Sequence, residues 1–236
     1  MEPNFLPLLW DSGLFGFNVC RIENSIKGTD DLKSVELTME KGSYKLAYHS
    51  SPYLLKMTEI PTLEVKLVDK KTTYVKETNG SLLYHSAVKQ YASDTPSIKL
   101  LNLAVQSGKY SRFNIDKNID NKKFEELYRI WITRSVRKQI ASEVFVYSQG
   151  KGIAGCITVG QKYNRADVGM VAVDSQQRGK GIGKAMMQHA EKWVFDNGQN
   201  EIQVVTQGDN TPACRLYEHL GYTRDTVEFF YHIWRK

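Results

Sequence analysis

Cysteine is scarce in this chain, and its placement argues against two chemistries. Cys20, Cys156 and Cys214 are odd in number and far apart, and no C-x-x-C occurs. That speaks against a disulfide framework and against a zinc site, and it leads us to expect a reducing, cytoplasmic setting. His189 and His219 fall on helical stretches without metal-spaced partners, so no metal is expected. No apolar run reaches the roughly 18 residues that a membrane-spanning helix needs, so no membrane partner is expected. The opening MEPNFLPLLWDSGLFGF carries acids and no basic leader, which argues against a signal peptide. A dense run of lysine and arginine is also missing. The net charge of +6 is spread along the chain and suits an anionic small molecule as well as nucleic acid. Without a basic cluster, no nucleic-acid partner is expected. Internal repeats and low-complexity segments are absent.

What is present supports a folded chain. The 236 residues are 41% hydrophobic and 11% aromatic, with Trp10, Trp131, Trp193 and Trp234 among them. Such a chain can bury a core and form one domain or two. The first part mixes short elements. FNVCRIE, SYKLAYHS and TLEVKLVDKKTTYV read as strands, and DDLKSVELTMEKG as a helix closed by Gly42. The turn signal at Asn79–Gly80 sets the expected boundary between a small α/β N-terminal domain, 1–80, and a second domain, 81–236.

The second part is more regular. DTPSIKLLNLAVQS predicts a helix with Thr95 as N-cap and Pro96 at its first position. DNKKFEELYRIWITRSV repeats apolar residues at Phe124, Leu127, Trp131 and Val136, which predicts a second helix. EVFVYSQGKGIAGCITVGQ reads as a hairpin turning at Gly150–Lys151–Gly152, and ADVGMVAVD as a further strand. DSQQRGKGIGKAMMQHAEKW then begins with glycines and becomes helical. NEIQVVTQ is a strand. NTPACRLYEHLGY is a helix with Thr211 as N-cap, Pro212 at its first position and Gly221 as its stop. TVEFFYHIW alternates as a last strand, apolar enough to line a homodimer interface or a core. The order is helix, helix, three strands, helix, strand, helix, strand, an α/β arrangement.

Three glycines, Gly179, Gly181 and Gly183, stand where a strand passes into a helix. Glycine costs about 1 kcal/mol relative to alanine inside a helix, so three of them need a reason. A helix N-terminus offers unpaired N–H groups and partial positive charge, and glycine lets backbone approach a bulky anion. Arg178, Lys180 and Lys184 occupy a region where helices usually place acids, and no acid follows until Glu191. A bound diphosphate would neutralise that excess. The spacing is not a P-loop, since Arg178 stands at the first glycine's place and Ala185 follows Lys184 where serine or threonine belongs. It is not the dinucleotide fingerprint, which needs glycine at 184.

VGMVAVDSQQRGKGIGKAMM resembles the acetyl-coenzyme A motif of the Gcn5-related N-acetyltransferases, and DNTPACRLYEHLGY resembles their second signature. The resemblance spans about residues 81 to 236. It implies that family's fold, a mixed central sheet flanked by helices, and acetyl-coenzyme A as co-substrate. It also implies diphosphate binding by the backbone of Arg178, Gly179, Lys180, Gly181, Ile182, Gly183 and Lys184. Met170, Val171, Ala172 and Val173 would pair with the pantetheine amides, an N–H of Val171 or Ala172 would serve the oxyanion, and Asn210 would contact the pantetheine arm. Tyr217 would lie near the thioester sulfur. A tyrosine hydroxyl with pKa near 10 can donate to a leaving thiolate with pKa roughly 8.5. Glu64, Asp11 and Glu228 are candidate bases. Cys214 has no His or Asp at a useful spacing, so direct transfer is expected rather than a covalent intermediate.

A narrower resemblance concerns the acceptor. Trp10, Asp11, Phe15 and Gly16, with Ser111, Arg112 and Phe113, are similar to segments of the TDP-fucosamine acetyltransferases and related sugar-nucleotide N-acetyltransferases of surface-polysaccharide synthesis. Leu14 before Phe15 departs from that pattern. The resemblance implies transfer to the 4-amino group of a dTDP-4-amino-4,6-dideoxyhexose. Trp10 and Asp11 would contribute to acceptor binding, Arg112 would hold a phosphate, and Tyr110 and Phe113 would stack on a base or sugar. Two alternatives stay open. One is acetylation of a protein, polyamine or antibiotic amine, and the other is a non-catalytic module that binds coenzyme A.

Overall fold

The structure, a computed structural model, describes residues 4–26, 28–55, 60–150 and 152–236. Lys151, at the tip of the expected hairpin, lies outside the described residues. The elements in chain order are β1 (Phe5–Pro7), α1 (Leu9–Phe15), β2 (Val19–Ile22), α2 (Thr29–Lys41), β3 (Leu46–Ser51), β4 (Leu63–Glu77) and β5 (Val88–Gln90). There follow α3 (Ile98–Ser107), α4 (Arg112–Ile115), α5 (Asn121–Val136), β6 (Glu143–Gln149), β7 (Gly152–Lys162) and β8 (Arg165–Val173). The chain ends with α6 (Ile182–Asp196), β9 (Glu201–Gln207), α7 (Thr211–His219) and β10 (Thr223–Arg235). This is the expected mixed α/β architecture. Short 3-10 turns sit at Gly108–Tyr110 and Ser175–Gln177.

The chain divides into two compact units. One comprises Met1–Lys71, Ile115–Ile119 and Val227–Lys236; the other comprises Thr72–Asn114 and Asp120–Thr226. The division differs from a single cut near residue 80. β4 and β10 are long strands, and each has residues in both units.

In the first unit, β2, α2 and β3 form a strand–helix–strand motif whose strands pair in parallel from Val19↔Leu46 to Ile22↔His49. Helix α2 carries Asp30 and Asp31 in its first turn, which suits its dipole, and it buries Leu32, Val35 and Met39. These pack with Cys20, Ile22, Ala47 and Ile233 as one core. Leu9–Phe15, read from sequence only as an aromatic- and glycine-bearing stretch, is helical. The Ser12 hydroxyl ties it to β2 by accepting from Val19 N at 2.8 Å while donating to Leu8 O at 2.8 Å. Phe229–Trp234 of β10 pair antiparallel with β3, and Tyr231, Ile233 and Trp234 are buried. These three residues are therefore core side chains.

In the second unit, β6, β7 and β8 form an antiparallel meander, extended by β5 on β6 and by β9 parallel to β8. Ile182, Ala185, Met186, Ala190 and Val194 of α6 recur at helical spacing and are buried with Ile157, Val159, Val168 and Val204 of the sheet. Two expected helix starts shift. The cap of α3 is Ser97, whose hydroxyl accepts from Leu100 N at 3.2 Å; Thr95 O is already taken by the Tyr91 and Ser93 hydroxyls. The cap of α7 is Asn210, whose side chain accepts from Ala213 N at 3.4 Å, one residue before the expected Thr211. Gly221, at φ +84°, follows the end of α7 as expected.

Candidate functional site

The site begins with a fault in the sheet. Along the β7–β8 pair, Thr158 faces Met170 but the next residue, Val159, faces Val168, so Gly169 is bulged out of the ladder. A Cβ at Gly169 would come within 3.1 Å of the Thr158 hydroxyl, so a side chain there would crowd it. Beyond the bulge the strands part. The parallel β8–β9 ladder covers Ala166–Val168 against Ile202–Val204 and ends there, while both strands run on to Val173 and Gln207. Polar backbone that no longer pairs across a sheet must find another partner.

A cavity of about 500 Å³ opens at this divergence. Its walls include Gly169–Val173 of β8, Val204–Gln207 of β9, the glycine loop, and Asn210 and Tyr217 of α7. The glycine loop is built for backbone contact. Gly179 and Gly181 both have φ +77°, a left-handed conformation that glycine adopts freely, and a Cβ added to either would meet nothing within 4 Å. Gly183 differs. A Cβ there would lie 3.1 Å from Leu216 Cδ2, so its absence lets α6 approach α7. No side chain caps α6, its first turn holds no acid, and its hydrogen-bond ladder starts at Ala185 N→Gly181 O, 3.0 Å. The N–H groups of Ile182, Gly183 and Lys184 therefore precede the ladder, and the helix dipole adds positive potential there.

Charge around the loop is arranged by residues the sequence reading passed over. Asp174 is buried and ion-paired with Lys99, and it accepts from Gln176 N at 3.0 Å. The Lys99 contact, more than the Gln176 N–H, holds its carboxyl below the usual range. Gln106 accepts from Ser175 N at 3.1 Å. Lys99 and Gln106 lie two turns apart on α3, a polar pair on one face of a largely apolar helix; that spacing was the available signal. Arg178 Nε donates to Val173 O at 3.3 Å, which holds the loop against the end of β8.

The expected cofactor residues assemble around the cavity with one departure. Met170, Val171, Ala172, Val173, Arg178, Gly179, Gly181, Ile182, Gly183, Lys184 and Asn210 line it, and so does Tyr217. Lys180 does not; its ammonium donates to Gln177 Oε1 at 2.7 Å. Asn210 doubles as helix cap and hydrogen-bond partner of the Thr206 hydroxyl, 3.3 Å away. Tyr217 is almost wholly buried between the rings of Tyr74 and Tyr222, at 5.7 and 6.0 Å. Burial, helped by the neighbouring Cys214 and Tyr74, raises its pKa well above the ordinary tyrosine value, so it stays protonated. Cys214 is buried, with Sγ 3.8 Å from the carbonyl oxygens of Gln207 and Gly208.

The expected acceptor residues are divided between the two units. Only Tyr110 lines the cavity. Phe113 is a core side chain set edge-on to Trp131 at 6.2 Å, and the Arg112 guanidinium stacks on the Phe113 ring at 4.6 Å. The reason is local: Ser111–Arg112–Phe113 enters the short helix α4, which turns the phenylalanine inward. Trp10 and Asp11 lie on α1 of the first unit, where the Tyr48 hydroxyl donates to Asp11 Oδ1 at 3.2 Å. The candidate bases are engaged in that unit too. Glu64 accepts from Asn118 Nδ2 at 2.7 Å and pairs with Lys66 at 3.3 Å. These contacts, led by Asn118, hold its pKa down, which opposes a base role. Glu228 pairs with Lys71 at 2.5 Å. The aromatic wall that does line the cavity is Tyr110, Tyr128 and Trp131, with Lys109 beside it. Periodicity counted Trp131 only among the apolar residues of its helix, because a half-buried ring facing a cavity has the same spacing as a core side chain.

Residues 110–222 match the model of the acetyltransferase (GNAT) family. Among curated proteins, a mycothiol acetyltransferase of Thermobispora bispora is 34% identical over 86 residues, which cover 36% of this chain and 26% of that protein. A streptothricin acetyltransferase of Escherichia coli is 30% identical over 79 residues, covering 33% and 45% respectively. The chain thus spans less than half the length of either relative. A crystal structure of a conserved protein of unknown function from Staphylococcus epidermidis superposes over all of this chain and 92% of its own, with a TM-score of 0.67 at 13% identity, a likeness of fold.

Proposed function

We propose that this chain, whose residues 110–222 match the model of the acetyltransferase (GNAT) family, moves an acetyl group from acetyl-coenzyme A to an amine by direct attack. The observation that carries the reading is the pairing of a bulged, diverging strand end with an uncapped, acid-free helix start behind two left-handed glycines. These residues fit acetyl-coenzyme A on chemical grounds. The N–H groups from Gly179 to Lys184, with Arg178 and Lys184, suit a diphosphate. The free edge of Met170–Val173 suits the amides of a pantetheine arm, and Asn210, which also lines the cavity, suits the same arm. The co-substrate supplies an activated acetyl thioester.

The chain's own groups account for the rest. A neutral amine attacks the thioester carbon, forming the C–N bond. A backbone N–H at Val171 or Ala172 stabilises the oxygen's developing charge. The C–S bond breaks, and the thiolate accepts a hydrogen bond and then a proton from the Tyr217 hydroxyl, while the amine's surplus proton leaves to water and restores Tyr217. Burial of Tyr217 keeps the donor protonated until the thiolate departs.

The acceptor we propose is a sugar-nucleotide amine, the 4-amino group of a dTDP-4-amino-4,6-dideoxyhexose, used for a surface polysaccharide in a reducing cytoplasm. Support comes from the residues around Trp10 and Ser111–Phe113, from the spread positive charge, and from three free cysteines. Calorimetry with acetyl-coenzyme A, followed by thiol release with a panel of dTDP-aminosugars, polyamines and peptide amines, tests both levels. Saturable binding with release only for the aminosugars is expected. Absence of binding would remove the acetyl-transfer reading, and release with another amine would remove the sugar.

A further inference from the structure

We propose that the cavity of the second unit selects acceptors by basicity and charge. It takes an amine that is largely neutral near pH 7 on a molecule that also carries an anion, and it turns polycations away; Lys109 meets the anion and Trp131 faces the acceptor's ring. This rests on the acetyl-transfer reading above. Among the described residues that line the cavity, Lys109, Arg178 and Lys184 are cationic and none is Asp or Glu. The neighbouring Asp174 is already held by Lys99. A protonated amine entering this space meets positive charge and no carboxylate to stabilise it or take its proton. An alkylamine with pKa about 10.4 is neutral in roughly 1 molecule in 2,500 at pH 7, whereas an amine with pKa near 7.8 is neutral in about 1 in 7. Without a carboxylate base, that difference passes directly into the rate.

The third cation is placed apart from the other two. Arg178 and Lys184 belong to the glycine loop and its helix, where a diphosphate would neutralise them. Lys109 belongs to the turn Gly108–Tyr110, and a Cβ at Gly108 would meet the rings of Phe124 and Tyr128 at 2.6 Å, so the turn is seated directly on α5. That seating puts Lys109 on the wall that carries Tyr128 and Trp131. Trp131 is held edge-on by Tyr128 at 5.0 Å and by Phe113 at 6.2 Å, so the plane of its ring is set before any ligand arrives.

The test uses the purified full chain, acetyl-coenzyme A, and three amines: glucosamine 1-phosphate, glucosamine and spermidine. We expect kcat/KM to fall about tenfold from the first to the second and about a hundredfold or more to the third. Lys109→Glu should raise KM for the phosphate about tenfold and narrow the gap to spermidine, with the KM for acetyl-coenzyme A unchanged. Trp131→Ala should raise KM for both sugars, and Trp131→Phe should restore much of it. Spermidine turned over as well as the phosphate would overturn the proposal, as would Lys109→Glu acting on the KM for acetyl-coenzyme A. If acetyl-coenzyme A binds but none of the amines reacts, and the amino-sugar phosphate gives no heat of binding, the proposal is equally lost while acetyl-coenzyme A binding stands. If acetyl-coenzyme A itself fails to bind, both readings fall.

Discussion

Lys66 of the first unit and the two cavity lysines of the second meet different fates. In the first unit, Lys66 lies 3.1 Å from Asp116 and 3.3 Å from Glu64, and Asp116 also accepts from His232 at 2.6 Å, Trp234 Nε1 at 2.8 Å and Asn118 N at 3.2 Å. This network is closed: the charge of each member is answered by another. In the second unit, Lys109 and Lys184 line a cavity whose described walls contain no carboxylate. A closed network stabilises its own fold, whereas uncompensated charge around an open cavity is a cost to folding that a ligand can repay. The difference separates the groups that hold this protein together from those available for chemistry.

The comparison can be broken most forcefully at Asp116. Burial alone would raise its pKa, but the hydrogen bonds from His232, Trp234, Asn118 and Lys66 outweigh burial and hold the carboxyl well below the ordinary range. Asp116→Ala strands these donors and should cost about 3–5 kcal/mol of stability, read by thermal or urea unfolding. Because the folded pKa is depressed, the stabilisation is complete above the unfolded value near 4 and declines as pH falls below it. An acid titration of Asp116→Asn should lack that decline. An unchanged melting profile in Asp116→Ala would show that the network is ornamental.

The next effect is on the open side. Gly181→Val forces a β-branched residue to φ +77° and should weaken acetyl-coenzyme A binding by about 2 kcal/mol, roughly thirtyfold in Kd by calorimetry. Gly183→Ala, which meets Leu216 instead of open space, should act more on stability than on affinity. Tyr217→Phe keeps the ring contacts with Tyr74 and Tyr222 and removes only the hydroxyl. It should lower kcat about a hundredfold and leave the Kd for acetyl-coenzyme A alone. Equal losses in both quantities would recast Tyr217 as a packing residue.

The smallest effect concerns His189, buried beside Tyr84 and Phe145 at ring distances of 4.8 and 4.9 Å. Burial lowers its pKa. The unfolded chain then binds the proton more readily, so stability is full above the unfolded value near 6.5 and falls as pH drops below it. Melting at pH 5.5 should come earlier than at pH 7.5, and His189→Phe should shrink that gap.

Much of the second unit was legible from sequence because its signals are local. Helical spacing at Ile182, Ala185, Met186 and Ala190 marks a buried face whatever lies opposite, and Gly179 and Gly181 announce backbone that no other residue adopts comfortably. Sequence did not separate Phe113, a core side chain, from Trp131, a ring lining the cavity. A large ring at a helical position packs inward or faces a cavity with equal ease, and only the neighbours decide. Thr95 and Thr211 are reasonable caps by type, but Ser97 and Asn210 are the residues whose oxygens reach an N–H. The first unit was harder to read, since it gathers Ile115–Ile119 and Val227–Lys236 from far along the chain.

By itself the sequence determined the alternation of strands and helices and the turn that must be glycine, since propensity, periodicity and left-handed backbone act over a few residues. Tertiary structure alone decided the bulge at Gly169, the parting of β8 from β9 and the gathering of cations without a carboxylate. Register between strands and the company a side chain keeps depend on segments distant in sequence, and no local preference specifies them.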